Sequence, residues 1–199
     1  DEPNWAKAHD ILMPAFALGS MRTYHPVMLK VARRLIETWD VRSAAGTPVD
    51  VPDDMTRMTL DTIGLAGFGF NFESFDRDEP HPFVDALVRA LHWSMTKLSR
   101  DPGVDHTEAD EAFRADAAFL ASGVDEVIEA RTAPGAAVPE DEDLLGLMLN
   151  ATHPCDGTTL DLENIRDQVI TFLIAGHETT SGTMSFALYN LVKHPAALR

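Results

Sequence analysis

The sequence predicts a mainly α, multihelical fold on three observations. Apolar residues recur at helical spacing in seven separate segments, strand-like alternation is almost absent, and one late segment holds the helical period further than a small domain is wide. The first segment covers 4–13, where Trp5 and His9 stand four apart and share a face. The second covers 20–44. A short alternating run, Val49-Asp50-Val51, closed by Pro52, is the one strand-like piece, and a sheet partner for it lies outside this chain. Helical spacing returns over 53–67 and again over 81–100, where Leu87, Leu91 and Met95 fall at i, i+4 and i+8. A helix over 107–131 leads into the Pro-, Gly- and acid-rich run 133–143, which reads as a surface connection. A brief helix over 143–150 precedes the long one, 162–193, which Asp161 is placed to cap. At a rise of 1.5 Å per residue that last helix is roughly 48 Å long and crosses the protein.

Composition bounds the function. The 199 residues carry a net charge of −16, with 45% hydrophobic and 24% charged residues, which suits one globular domain with a sizeable core. A chain this acidic is a poor nucleic-acid binder, and no apolar run is long enough to span a membrane. Most of the excess acid lies between 101 and 163, where Arg114 and Arg131 are the only basic residues; a solvated helix face and loop explain it. The single cysteine, Cys155, excludes an internal disulfide framework and fits a reducing, cytoplasmic setting. Asp1 has no leader character and the proline-led start of a further helix at Pro195 goes no further than Arg199, so the chain reads as an internal fragment.

The long helix changes character midway. Residues 169–175 are apolar almost all round, which predicts burial on every side. Gly176-His177-Glu178-Thr179-Thr180-Ser181-Gly182-Thr183 then places two glycines, four hydroxyls, an imidazole and a carboxylate inside the rod, a choice that helix stability alone disfavours. One reading is a local widening beside a cavity, where small Ala175 and Gly176 admit a flat ligand and Glu178 with Thr179 move protons. The other is a core helix whose hydroxyls bond to carbonyls one turn back. Helix physics leaves both open. A zinc-protease helix is excluded because Ser181, not His, stands four after His177, and 64–69 does not match a dinucleotide fingerprint.

Ala175-Gly176-His177-Glu178-Thr179-Thr180 resembles the A/G-G-x-D/E-T-T signature of the long central helix in cytochrome P450 enzymes, the haem-thiolate monooxygenases. Trp5-Ala6-Lys7-Ala8-His9 resembles the W-x-x-x-basic motif of an earlier helix of that family. The runs 53–64 and 77–83 are similar to one subgroup, the bacterial self-sufficient fatty-acid hydroxylases fused to a flavin reductase. The resemblance implies a central part of one P450 haem domain over 1–199, with haem b as cofactor and FAD, FMN and NADPH in the parent. It implies a small apolar substrate with O2, and a reductase in the same parent chain. Trp5 and His9 would meet a haem propionate, although most of the family carries Arg where His9 stands. Phe16, Ala175 and Gly176 would border the haem, and Leu87, Leu91, Met95 and Ile174 the substrate channel. Thr179 as donor and Glu178 as relay would govern proton delivery to dioxygen. His177 reads as a satisfied core or surface histidine.

The haem-ligating cysteine of the family follows the central helix, in a Phe- and Gly-containing loop. Cys155 precedes that helix with the wrong flanks and reads as an incidental loop thiol; the E-x-x-R matches at Glu111/Arg114 and Glu163/Arg166 are out of order too. The fragment is therefore expected to be inactive alone. The alternative function is a non-enzymatic all-helical module that binds or responds to a small ligand.

Overall fold

The computed structural model describes residues 3–136 and 143–198, so positions 137–142 of the connection read from the sequence lie outside the described residues. The helices are α1 (Pro3–Leu12), α2 (Leu18–Ala44), α3 (Val51–Ile63), α4 (Pro82–Thr96), α5 (Thr107–Thr132), α6 (Leu144–Asn150) and α7 (Leu162–Lys193). Three-residue-per-turn pieces continue α1 at Met13–Phe16 and α4 at Lys97–Ser99. There is no strand among the described residues. The strand expected at 49–51 is a helix start instead. Asp50 is the N-cap of α3, its side chain accepting from Asp53 N at 3.1 Å, and Pro52 stands in the first turn, where its missing N–H costs nothing.

The chain forms two compact units, Asp1–Asp76 with Pro139–Arg199, and Arg77–Val138. In the first, α7 lies along α3. Ile165, Val169, Leu173, His177 and Ser181, each four residues apart, form the buried stripe of α7. Its polar end is satisfied within the core. His177 Nδ1 is 2.6 Å from the Leu173 carbonyl, Thr59 Oγ1 donates to the His177 carbonyl at 2.9 Å, and Thr56 Oγ1 donates to Ser181 Oγ at 3.3 Å. A second cluster joins Val31 and Leu35 of α2 to Met55 and Met58 of α3. Beside it Asp54, with no exposed surface, accepts from Trp39 Nε1 at 2.8 Å and Arg42 Nη1 at 2.6 Å. Asp61 is buried as well and accepts from Ser74 Oγ at 2.7 Å; burial is the largest influence on its carboxyl and raises its pKa, against the lowering by Ser74.

Two expectations about the long helix are corrected. Residues 169–175 are not buried on every side: Thr171 and Ala175 are exposed, and Ile170, Phe172 and Ile174 are half-buried. Nor does the helix widen at its glycines, since the α ladder runs unbroken over 162–193. The hydroxyls bond backwards, Thr179 Oγ1 to the Ala175 carbonyl at 2.8 Å and Thr183 Oγ1 to the Thr179 carbonyl at 2.9 Å. The widened turn is elsewhere, a π-helical turn at Gly64–Phe68 that ends α3. Gly64 is needed there, because a Cβ would stand 2.6 Å from the Phe70 carbonyl oxygen and 2.8 Å from the Phe72 ring.

The second unit is the antiparallel pair α4 and α5. Phe83 packs on Gly123, and Trp93 stacks on Phe113 with ring centroids 3.7 Å apart. Trp93 Nε1 donates to Asp110 at 2.8 Å, and Arg100 pairs with the same carboxylate.

Candidate functional site

Three pieces of the first unit converge on one open cleft. Asn164, at the start of α7, is buried and donates through Nδ2 to the Asn4 carbonyl at 3.2 Å, which fixes the beginning of α1 beside α7. Trp5, Ala8, His9 and Leu12 fall on one face of α1 by helical spacing. The tight turn after α1, with Pro14 inside it and Ala15 buried, then brings Phe16 back toward α7. Phe16 stacks on Phe172 with centroids 5.9 Å apart, and Trp5 stacks on His9 at 5.0 Å. The cleft encloses about 180 Å³ between Trp5, His9, Met13 and Phe16 on one side and Gln168 and Phe172 of α7 on the other. The structure brings Trp5, His9 and Phe16, which the sequence singled out, to one cleft with Phe172, Gln168 and Met13, which it did not. Helical spacing carried the signal: Gln168, Phe172, Ala175 and Thr179 are separated by four, three and four residues and form a continuous face.

That face orders the predicted residues of α7. Ala175 and Thr179 are exposed and lie on the same face of α7, beyond Phe172. Glu178 is exposed too but lines another cavity, of about 620 Å³, with Val51, Pro52 and Thr56 of α3 and Ser181 and Phe186 of α7. The acid and the alcohol are neighbours in the chain and present their side chains to different faces of α7. Gly176 is placed otherwise than expected. A Cβ on it would meet Ile63 of α3 at 3.4 Å, an ordinary contact distance, so the position faces α3 and not the cleft. Leu87 is a second correction: only 2% exposed, it sits in the core of the second unit and has no surface to offer a substrate. Leu91 is half-buried and Met95 is exposed, while Ile174 is half-buried on α7.

The cleft can be tested against the cofactor that the resemblance implies. Haem is a flat apolar ring with carboxylates on one edge. Trp5, Met13 and Phe16 expose 62%, 56% and 53% of their surfaces, an unusual concentration of uncovered large apolar groups around one hollow. Indole and imidazole nitrogens accompany them, the donor chemistry that a carboxylate edge requires. His9 Nδ1 lies 3.3 Å from Asp10 Oδ1, so that nitrogen donates to Asp10, and Nε2 can donate to a second carboxylate when the ring is imidazolium. The residues fit the group. At about 180 Å³ the cleft is smaller than the roughly 300–1,000 Å³ of a complete small-molecule site, so it forms one wall of such a site.

Comparison with known proteins identifies the family. A family model for cytochrome P450 matches residues 1–199. The bifunctional cytochrome P450/NADPH–P450 reductase 1 of Bacillus subtilis (strain 168) is 50% identical over 200 residues, covering 100% of this chain and 19% of that protein. A bifunctional cytochrome P450/NADPH–P450 reductase of Bacillus cereus is 48% identical, over 100% of this chain and 18% of its own length. The crystal structure of the cytochrome P450DA heme domain superposes with a TM-score of 0.91 at 54% identity, covering 99% of this chain and 42% of that one. The chain thus spans about a fifth of the length of these curated relatives. On the match along its whole length and on the shared fold, the chain belongs to the cytochrome P450 family.

Proposed function

We propose that this chain is the central part of a P450 haem domain, within a cytoplasmic monooxygenase that activates O2 and hydroxylates a small apolar substrate, a fatty acid. The observation that carries the reading is the continuity of one surface, from the Trp5, His9 and Phe16 cleft past Phe172 to Ala175 and Thr179. Similarity to P450/reductase fusions supports a flavin reductase, with FAD, FMN and NADPH, in the same parent chain.

Haem, when bound, supplies the iron centre at which dioxygen is reduced and activated. The chain's residues do the remainder. Trp5 and His9 present N–H donors to a propionate, and Phe16 and Phe172 flank the ring with apolar surface. Ala175 is small enough to leave room over it. Thr179, expected as the donor, instead directs its own hydrogen to the Ala175 carbonyl, which leaves the lone pairs of Oγ1 free to accept, so the alcohol holds a water while a proton arrives. Glu178, open to solvent in the neighbouring cavity, takes protons from bulk water and passes them across the helix. Half-buried Ile174 offers an apolar wall to a substrate channel.

The reading is tested by supplying the full-length protein with NADPH, oxygen and saturated fatty acids of graded chain length. Hydroxylated product with matched NADPH consumption is the expected outcome. A haem-loaded protein that oxidises NADPH but gives no hydroxylated product with any chain length overturns the fatty-acid assignment.

A further inference from the structure

One cluster of metal-ligating side chains lies outside the haem face. Asp10 on α1, and His153 and Cys155 in the loop between α6 and α7, bring a carboxylate oxygen, an imidazole nitrogen and a sulfur within 4.8 Å of one another. The residues come from places 143 positions apart in the chain, so the fold assembles the cluster and sequence neighbourhood does not explain it. His153 Nε2 stands 3.4 Å from Asp10 Oδ2. Its other nitrogen, Nδ1, is 3.0 Å from Asp156 Oδ1, and since that carboxylate oxygen accepts, Nδ1 carries the hydrogen. Nε2 is thereby left to present a lone pair toward Asp10 and Cys155. A carboxylate behind a histidine is the arrangement that orients metal-binding imidazoles. The loop is held in shape independently: His153 N donates to the Thr158 carbonyl at 2.7 Å, Gly157 N donates to the His153 carbonyl at 2.9 Å, and Gly157 takes the left-handed φ of 71° that the turn requires.

We propose that Asp10, His153 and Cys155 form a zinc-binding site, separate from the haem. One sulfur, one nitrogen and one oxygen are the donors zinc accepts, and three protein ligands leave a fourth position for water. Tetrahedral zinc with bonds of about 2.0–2.3 Å places neighbouring ligand atoms roughly 3.3–3.8 Å apart. The Asp10–His153 pair already has that separation. Cys155 closes any remaining gap, at most about an ångström, by rotation of its exposed side chain, losing its thiol proton to solvent as it binds. The hard cations calcium and magnesium, which select all-oxygen ligands, are poor occupants. A bound ion would tie α1 to the loop that leads into α7, the two elements that shape the cleft.

The test is made on the full-length, haem-loaded protein stripped with a chelator. The alkylation rate of Cys155 is followed by peptide mass spectrometry with and without zinc, and with magnesium as the control ion. Zinc is expected to slow alkylation at least about tenfold and magnesium to leave it unchanged. In His153→Gln, and separately in Asp10→Asn, the zinc protection should fall away while alkylation in chelator proceeds as in the parent. Two variants on different elements, one of them at the exposed Asp10, guard against the failure of one to fold. If zinc leaves Cys155 equally reactive, or protects it as well in both variants, the cluster is an ordinary imidazole–carboxylate contact beside a free thiol, and the site is refuted.

Discussion

Asp54 shows what a single buried carboxylate does here. It has no exposed surface, yet Trp39 and Arg42 of α2 both donate to one of its oxygens, so it joins α2 to α3 beneath the Met55–Met58 cluster. Asp54→Ala strands the indole N–H and leaves a half-covered guanidinium unpaired. We expect a loss of about 2–3 kcal/mol in urea unfolding, below the full cost for a wholly buried pair because Arg42 keeps contact with water. Asp61 behaves differently. Burial raises its pKa above 3.8, with the Asp76 charge adding to the rise and Ser74 and Arg57 opposing it. A raised carboxyl favours the protonated form in the folded state, so its contribution is fully present below pH 3.8 and is lost as pH climbs through the folded value. As pH rises from 3, the unfolding midpoint of Asp61→Asn should therefore gain on that of the parent; a difference between the two that does not change with pH would remove this account of Asp61. At Thr179 the expected effect is chemical, not structural. The residue is exposed and its hydroxyl donates to its own helix, so Thr179→Ala should change stability by no more than about 0.5 kcal/mol. In the parent enzyme the same change should raise peroxide release and lower product formed per NADPH, and coupling equal to the parent's would end the proposed role.

Among the elements, glycine position separates packing from flexibility. Gly64→Ala drives a Cβ to 2.6 Å from a carbonyl oxygen in the π-helical turn, and the backbone itself must move; destabilisation on the order of 2–3 kcal/mol is expected in thermal unfolding. Gly176→Ala meets only Ile63 at 3.4 Å, and the gain in helix propensity of about 1 kcal/mol offsets the contact, so its unfolding should match the parent within that amount. The reverse order would show that the α3–α7 seam, not the turn, is the tight place. Helices were legible wherever a long amphipathic period existed: α5 and α7 match their expected spans to within a residue or so. The error at 49–51 came from weighing a three-residue alternation above Asp50 and Pro52, which together spell a capped helix start. The π-helical turn was hidden for another reason. A helix and a widened turn share the same apolar period, and only the crowding of Phe70 and Phe72 around Gly64 distinguishes them.

For the molecule as a whole, the site was legible in part because its chemistry is concentrated in two motifs on α1 and α7. What spacing could not tell is which residues face one another across elements. Phe172 looked like core and proved to stack on Phe16, whereas Gly176 looked like a cofactor residue and proved to face Ile63. The same blindness hid Asp10 from His153 and Cys155, since nothing in either segment announces the other. Phe186, Tyr189 and Val192 also remain 72%, 59% and 74% exposed along α7, more apolar surface than one stretch of helix usually leaves in water. The chain expressed alone should therefore bind an apolar fluorescent dye more strongly, per residue, than the full-length protein does. Among the described residues no helix is long and apolar enough to cross a membrane. The central claim is that the Trp5–Phe16 cleft and the Ala175–Thr179 face form one side of a haem-thiolate site. The absorption spectrum of the reduced, carbon monoxide-treated full-length protein tests it most directly. The account predicts the red-shifted Soret band of a thiolate-ligated haem; a protein that retains no haem, or whose carbonyl band is that of a histidine-ligated haem, would contradict it.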